Sequence, residues 1–266
     1  MEFNVIEKCT ENYESFKKII ESSSNYEPKG IFNSELLMLT TMIKELGIEH
    51  LIESGRARGQ STEITTRFCK DNNIKFDSIE FDKNSPDVEI ATKRLSTLKD
   101  YVGLYYGDAF DVMPTLITEK QTAIMIDGPK GFDALKLGIE MISKHKNVKA
   151  VFFHDVNLES EPRKLLNKYF KKAYFSDYKD FVEKFKSLDE SCWRIQSTWP
   201  EAKDWAPYTR HGKYIQSYSA TLGVILSDNS NKYDTILAEV NKMNIVQSNI
   251  IYRILNKLSR LYINRI

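Results

Sequence analysis

Residues 50–62 read HLIESGRARGQST, and residues 74–82 read IKFDSIEFD. In the first stretch His50–Glu53 is a short apolar run ending in an acid. A turn containing Gly55, Ala57 and Gly59 follows, then Ser61 and Thr62 at the head of a helical stretch through Thr66 and Phe68. The second stretch repeats the pattern, with a strand over Ile74–Glu80 and a helix starting near Pro86. It recurs as Tyr101–Tyr106 (YVGLYY) before a short helix at Phe110–Ile117, and as Thr122–Ile126 (TAIMI) before a helix carrying Phe132, Leu135, Ile139 and Met141 or Ile142. Val148–Phe153 (VKAVFF) is the fifth strand. The strands are continuous apolar runs rather than polar–apolar alternations, as when both faces of a sheet are covered. Strand and helix alternating in this way predict right-handed βαβ units and a Rossmann-like α/β fold with a doubly wound, mostly parallel sheet.

Outward from this centre the rhythm changes. Phe16, Ile19 and Ile20 share one face of an N-terminal helix, which SSSNYEPKG breaks. Leu36, Leu39, Ile43 and Leu46 form one stripe of a second helix from about Asn33 to Leu46, with Asn33 or Ser34 as cap and Gly47 in place for a left-handed terminus. Beyond Asp155 a helix is expected over about 160–170, an irregular aromatic-rich stretch over 174–218, a late strand at Tyr218–Leu226 and a helical tail from Asn231. The expected organisation is an N-terminal helical elaboration (1–47), a Rossmann-like domain (48–227) with an insertion at about 174–218, and a C-terminal helical tail (228–266).

The 266 residues include 38 Lys and Arg against 37 Asp and Glu, a net charge of +1, which argues against a surface built for nucleic acid. No run of 18 apolar residues is present to span a membrane, and the start carries no secretory pattern. Cys9, Cys69 and Cys192 are odd in number and widely spaced, which fits packing in a reducing, cytoplasmic compartment rather than disulfides or a zinc site.

Ligands of an open α/β sheet sit beyond the carboxyl ends of its strands. After strand one, Gly55 and Gly59 can take positive φ, and Ser61 or Thr62 can cap the next helix. The spacing is not the G-x-G-x-x-G dinucleotide fingerprint, and Glu53 would repel a pyrophosphate. A plain strand-to-helix turn is the simpler alternative. After strand two, Glu80 lies 21 residues beyond Gly59, near the offset at which an acid accepts bonds from ribose hydroxyls, with Asp82 competing. After strand three, Asp108 beside Ala109 can accept from an exocyclic amine or simply cap a helix. After strands four and five come Asp127-Gly128-Pro129-Lys130 and His154-Asp155-Val156-Asn157, which the topology should bring together near the first turn.

Taken together, these stations resemble the class I S-adenosylmethionine-dependent methyltransferases over roughly residues 48–157, and weakly over 218–226. The resemblance maps the family's glycine motif onto Glu53, Gly55, Ala57 and Gly59 with Gln60 and Ser61, its ribose acid onto Glu80 beside Phe81, and its adenine-side motif onto Gly107-Asp108-Ala109. The segment from Asp127 to Val156 looks like the subgroup with Asp-Gly-x-His…His-Asp motifs, which includes cephalosporin-hydroxylase-like members and O-methylates sugars and small hydroxylated compounds. Lys130 stands where that subgroup often has His. A looser likeness to catechol-type O-methyltransferases would make Asp127 and Asp155 ligands of a divalent ion such as Mg²⁺, although Val156 follows the second Asp and Asn157 is one place late.

The resemblance implies S-adenosylmethionine as cofactor, with Glu53 serving its ammonium end directly or through the loop, and a saccharide or other small hydroxylated molecule as acceptor. His154 is the expected base because an unperturbed imidazole titrates near neutrality. Asp155 can orient it, hold a metal or take the proton, and Lys130 can lower the acceptor's pKa or bind an acidic group. Trp193, Trp199, Trp205, Tyr208, Tyr214 and Tyr218, interspersed with Arg194, Arg210 and His211, suit a lid or acceptor site, or a satellite core. The apolar stripe Ile250, Ile251, Ile254, Leu255, Leu258 and Leu261 fits packing on its own domain, a homodimer contact or an anionic membrane surface. The competing readings are a nucleotide-cofactor oxidoreductase or hydroxylase on a similar sheet, and a cofactor-binding protein without turnover.

Overall fold

The computed structural model describes residues 4–27, 30–158, 160–198, 222–228 and 232–246. Five parallel strands, β1 (His50–Ser54), β2 (Lys75–Glu80), β3 (Gly103–Tyr106), β4 (Thr122–Ile126) and β5 (Val148–Phe153), form the body of the sheet. A short β6 (Tyr174–Phe175) and β7 (Gly223–Leu226) complete it, in the order β3-β2-β1-β4-β5-β7-β6, with β7 antiparallel to both its neighbours. This is the doubly wound, mostly parallel sheet expected from the sequence. The chain reverses direction across the sheet between β1 and β4, which opens a crevice beyond their carboxyl ends.

Successive residues of each strand feed opposite layers. Leu51, Ala123, Met125, Ala150 and Phe152 pack with the helices α1 (Val5–Glu21), α2 (Asn33–Glu45) and α3 (Gln60–Asp71). Ile52, Ile124, Ile126, Val151 and Phe153 pack with α5 (Ala109–Leu116), α6 (Gly131–Lys144) and α7 (Glu161–Tyr169). Burial on both faces explains the unbroken apolar runs. Helix α4 (Pro86–Leu95) follows β2, with Ser85 as its N-cap and Pro86 pre-set for its first turn.

Four sequence expectations are corrected. Helix α2 does not bury a single stripe, for every residue from Asn33 to Ile43 is buried. Its N-cap is Phe32, whose N–H donates to Glu35 at 3.0 Å, while Ser34 donates its N–H and hydroxyl to Asp189 at 2.8 and 2.6 Å. Neither Ser61 nor Thr62 caps α3: the N-cap is Gly59, in the left-handed region. Residues 174–198 are not irregular but form β6, α8 (Lys179–Phe185), a 3₁₀ turn at Lys186–Leu188 and α9 (Glu190–Thr198), with Phe181, Phe185, Leu188 and Cys192 buried.

A further helix, α10, runs over residues 233–246 and packs through Tyr233, Ile236 and Val240 on the α6–α7 layer. Trp199, Trp205, Tyr208, Arg210, His211, Tyr214 and Tyr218, the first part of the late strand, and the tail beyond residue 246 lie outside the described residues. Among the described residues no helix is long and apolar enough to cross a membrane.

Candidate functional site

The strand ends are laced together by main-chain bonds. Asp127 and Gly128 both donate their N–H to the Ser54 carbonyl, Gly55 donates to Ile79, and His154 donates to Ile126. The first turn therefore lies directly against the loop after β4. Gly55 has φ +93°, and a Cβ there would stand 2.5 Å from the Gly128 nitrogen. The close approach this glycine permits is to the protein's own backbone. Gly59 similarly lets α3 settle on Ala91 of α4.

Glu53 is sealed beneath the turn. Its carboxylate accepts from the hydroxyls of Ser61, Thr62 and Ser78 at 2.9, 2.5 and 2.7 Å, which is why those residues are unavailable as caps. Burial pushes its carboxyl upward, against the pull of these hydroxyls and the Arg56 charge. Glu53 braces the loop and does not face the crevice.

Glu80 is placed differently. One carboxylate oxygen accepts the N–H of Ala57, at the tip of the turn, at 2.7 Å, and the other accepts from Phe81 at 2.9 Å. A negative charge thus occupies the mouth of the loop, and the turn's own amide is spent on it. Phe81, 73% exposed, stands on the rim, and Asp108 caps α5 by accepting from Phe110, with Ala109 buried behind it. Arg56 lies buried below Tyr106 and donates to the Ser78 carbonyl at 2.9 Å. Among the described residues, Arg56 Nη2 and Gln60 Oε1 are buried without hydrogen-bond partners along this wall.

Across the crevice the residues after β4 and β5 converge as the topology requires. The His154 Nδ1 lies 2.6 Å from Asp127 Oδ1 and 3.4 Å from Asp155 Oδ1. The Lys130 ammonium, leaving the N-cap position of α6, donates to Asp127 and, at 2.6 Å, to Asp155. Ligating atoms of Asp127, His154 and Asp155 lie within 4.8 Å of one another. Asp155 adopts φ +61°, and the carbonyl of the next residue, Val156, accepts from the buried Arg163, which grips Asp177 through two bonds of 3.0 Å. The loop after β5 is therefore held from below.

Burial opposes the charge on His154, but Asp155, Asp127 and Glu35 together outweigh it and hold the imidazole pKa well above 6.5. Burial likewise works against the Asp155 charge, yet His154 and Lys130 bring its carboxyl down to about 2. The Lys130 pKa is raised because its two carboxylate neighbours outweigh its own desolvation. The reading of His154 as the base started from an unperturbed imidazole, and its three carboxylate neighbours shift it upward from there.

Glu35 is the neighbour of this cluster that sequence reasoning missed. It is fully buried on α2, with Oε2 3.6 Å from His154 Nε2. The available signal was an acid one residue before the apolar stripe of that helix. The strap between α1 and α2 was missed too. Glu27 pairs with Arg94 at 2.7 Å and Arg58 at 3.4 Å, and Gly30 lies against Gln60, where a Cβ would fall 2.6 Å from Oε1. A larger cavity of about 370 Å³ opens at the other end of α3, among Asn12, Phe16, Thr41, Phe68 and Asn72, away from this chemistry.

No family model matches the sequence, and no curated relative does. Solved structures with a similar backbone include a methyltransferase of Podospora anserina bound to SAH (12% identity, 83% of this chain and 88% of that one, TM-score 0.42). The O-methyltransferase TomG of Streptomyces achromogenes in complex with SAM is another (13% identity, 86% and 92%, TM-score 0.41). An O-methyltransferase of Bacillus cereus in complex with SAH is a third (14% identity, 73% and 80%, TM-score 0.38). At such identities and scores the likeness carries no argument, and what the crevice can do is read from its own side chains.

Proposed function

We propose that the chain is an S-adenosylmethionine-dependent methyltransferase acting on a hydroxyl of a saccharide or other small molecule. The observation that carries this reading is the Glu80 carboxylate bonded to the Ala57 N–H. A phosphate-binding turn keeps its amides open for an anion, whereas here an acid fills that place. The crevice suits a ligand with hydroxyl donors and positive charge. S-adenosylmethionine carries the matching groups, with ribose hydroxyls for Glu80, a base for the aromatic rim at Phe81, and polar groups at the methionyl end for the orphaned Gln60 Oε1. Glu53 serves the cofactor through the loop that it braces.

The cofactor supplies a sulfonium methyl carbon, attacked in line by the acceptor oxygen so that the O–C bond forms as the S–C bond breaks and a neutral thioether leaves. The chain's part is to align the acceptor and receive its proton. Asp155 and Lys130, the half-exposed members of the cluster, face outward to meet the hydroxyl. Asp155 takes the proton, Lys130 holds the oxygen, and His154 with Asp127 fixes both in place. Alignment can supply up to about 7–11 kcal/mol of the barrier, so the weak basicity of Asp155 is compatible with turnover.

The test is transfer of labelled methyl from S-adenosylmethionine to a panel of saccharides and phenols. Label in an alkali-stable ether supports the reading. Absence of transfer to any acceptor, together with absence of cofactor binding, refutes it.

A further inference from the structure

The likeness to metal-dependent O-methyltransferases asks whether Asp127 and Asp155 hold a divalent ion, and the side chains answer poorly for one. The point between the two carboxylates is taken by the Lys130 ammonium, which donates to both. Asp127 Oδ1 is shared further with His154 Nδ1 at 2.6 Å. The residue after Asp155 is the buried, apolar Val156, and its carbonyl is turned away to Arg163. Mg²⁺ asks for a near-octahedral set of oxygens at about 2.0–2.1 Å. Here Asp127 Oδ1 and Asp155 Oδ2, the oxygens that meet at the junction, are already paired to nitrogen donors.

From this geometry we infer that Lys130 is a tethered cation that stands in for a divalent metal at the Asp127–Asp155 pair, so that the chain's catalytic centre is built to work without one. The ammonium sits three residues from Asp127 in sequence, at the N-cap of α6, and its position is fixed from both sides. A cation carried on the chain is present at an effective concentration of about millimolar or more whatever the supply of free ions. It gives the centre a donor for an acceptor oxygen, where a metal would have given a Lewis acid. Exclusion of a metal by Lys130 is a property of these side chains alone, and its catalytic sense rests on the proposed methyl transfer.

The experiment is a titration of the full chain with Mn²⁺, followed by the electron paramagnetic resonance signal of the free ion, in the absence of cofactor and acceptor. Wild type and Lys130→Arg should leave the free-ion signal undiminished apart from weak surface binding. Lys130→Ala should take up one Mn²⁺ per chain, and Asp127→Asn added to it should abolish the uptake. Removing one positive charge about 4 Å from a divalent ion predicts a gain in affinity of about 30-fold at bulk-water screening, and up to about 10⁶-fold at an effective dielectric constant near 20. Stoichiometric Mn²⁺ binding by wild type that Asp127→Asn removes would overturn the inference without requiring any variant of Lys130 to fold. Circular dichroism establishes whether Lys130→Ala is folded, and a folded Lys130→Ala with no gain in affinity would overturn the inference as well.

Discussion

Replacing Gly55 by Ala tests whether the candidate site is assembled by contact between the backbones after β1 and β4. Gly55 has φ +93°, and an added Cβ would stand 2.5 Å from the Gly128 nitrogen and 2.7 Å from the Asp127 carbonyl carbon. The left-handed conformation costs an L-residue about 1–2 kcal/mol. Forcing apart two backbones with no flexible side chain to yield adds the overpacking cost of about 1–3 kcal/mol. The expected loss is therefore about 2–5 kcal/mol, or a melting temperature lower by roughly 5–15 °C for a chain of this size. Gly47→Ala is the control: it also has positive φ, at +62°, but a Cβ there meets nothing within 4 Å, so only the conformational cost applies. Urea unfolding of both variants, with the slope unchanged, gives the difference. Equal destabilisation of the two variants would refute the close approach of the loops, and with it the placement of Asp127.

Glu80→Gln keeps the shape but removes the charge at the mouth of the turn, and should weaken S-adenosylmethionine by about 10–150-fold, the ~1.5–3 kcal/mol expected of a charge-assisted hydrogen bond, by calorimetry. Asp155→Asn should lower kcat by about 10²–10⁴-fold while cofactor affinity stays within about threefold, since a general base acts on rate and not on cofactor binding. The His154 pKa is raised in the fold, so its contribution to stability is full below pH 6.5 and lost as pH rises through the folded value. Asp155, lowered to about 2, contributes above its ordinary 3.8 and loses that contribution as pH falls through about 2. Urea midpoints measured against pH should show both limbs, with His154→Gln flattening the alkaline one. Arg163→Met leaves the half of the pair at Asp177 uncompensated and should cost about 3–5 kcal/mol, read as a loss of urea midpoint.

The central strands were legible because each is an apolar run buried on both faces. Thr122–Ile126 and Val148–Phe153 begin and end where the hydrophobic pattern does. Tyr101 and Val102 failed as strand because β3 starts only at Gly103, and Tyr101 is exposed with Lys70 over its ring. The strand β6 has two residues, too few to show any period. Helix α2 hid its full burial behind hydroxyls, and Thr40 shows why: its Oγ1 donates back to the Leu36 carbonyl at 2.8 Å, so a polar residue could enter the core. Ser61 and Thr62 read as caps because the sequence does not show that Glu53, eight and nine residues earlier, claims both hydroxyls. The convergence of Asp127, His154 and Asp155 followed from strand order alone. That Lys130 would reach Asp155, or that Glu35 would come from another helix to lie beside His154, required the packed structure.

The proposed methyl transfer requires the crevice between β1 and β4 to receive a sulfonium nucleoside. Crystals of the chain grown with S-adenosylhomocysteine test this most directly. The predicted electron density places the ribose hydroxyls on Glu80, the adenine at the rim formed by Phe81, and the thioether sulfur facing Asp155 and Lys130. A nucleoside bound elsewhere, or a crevice that instead accepts the pyrophosphate of NAD against the turn at Ala57, would contradict it.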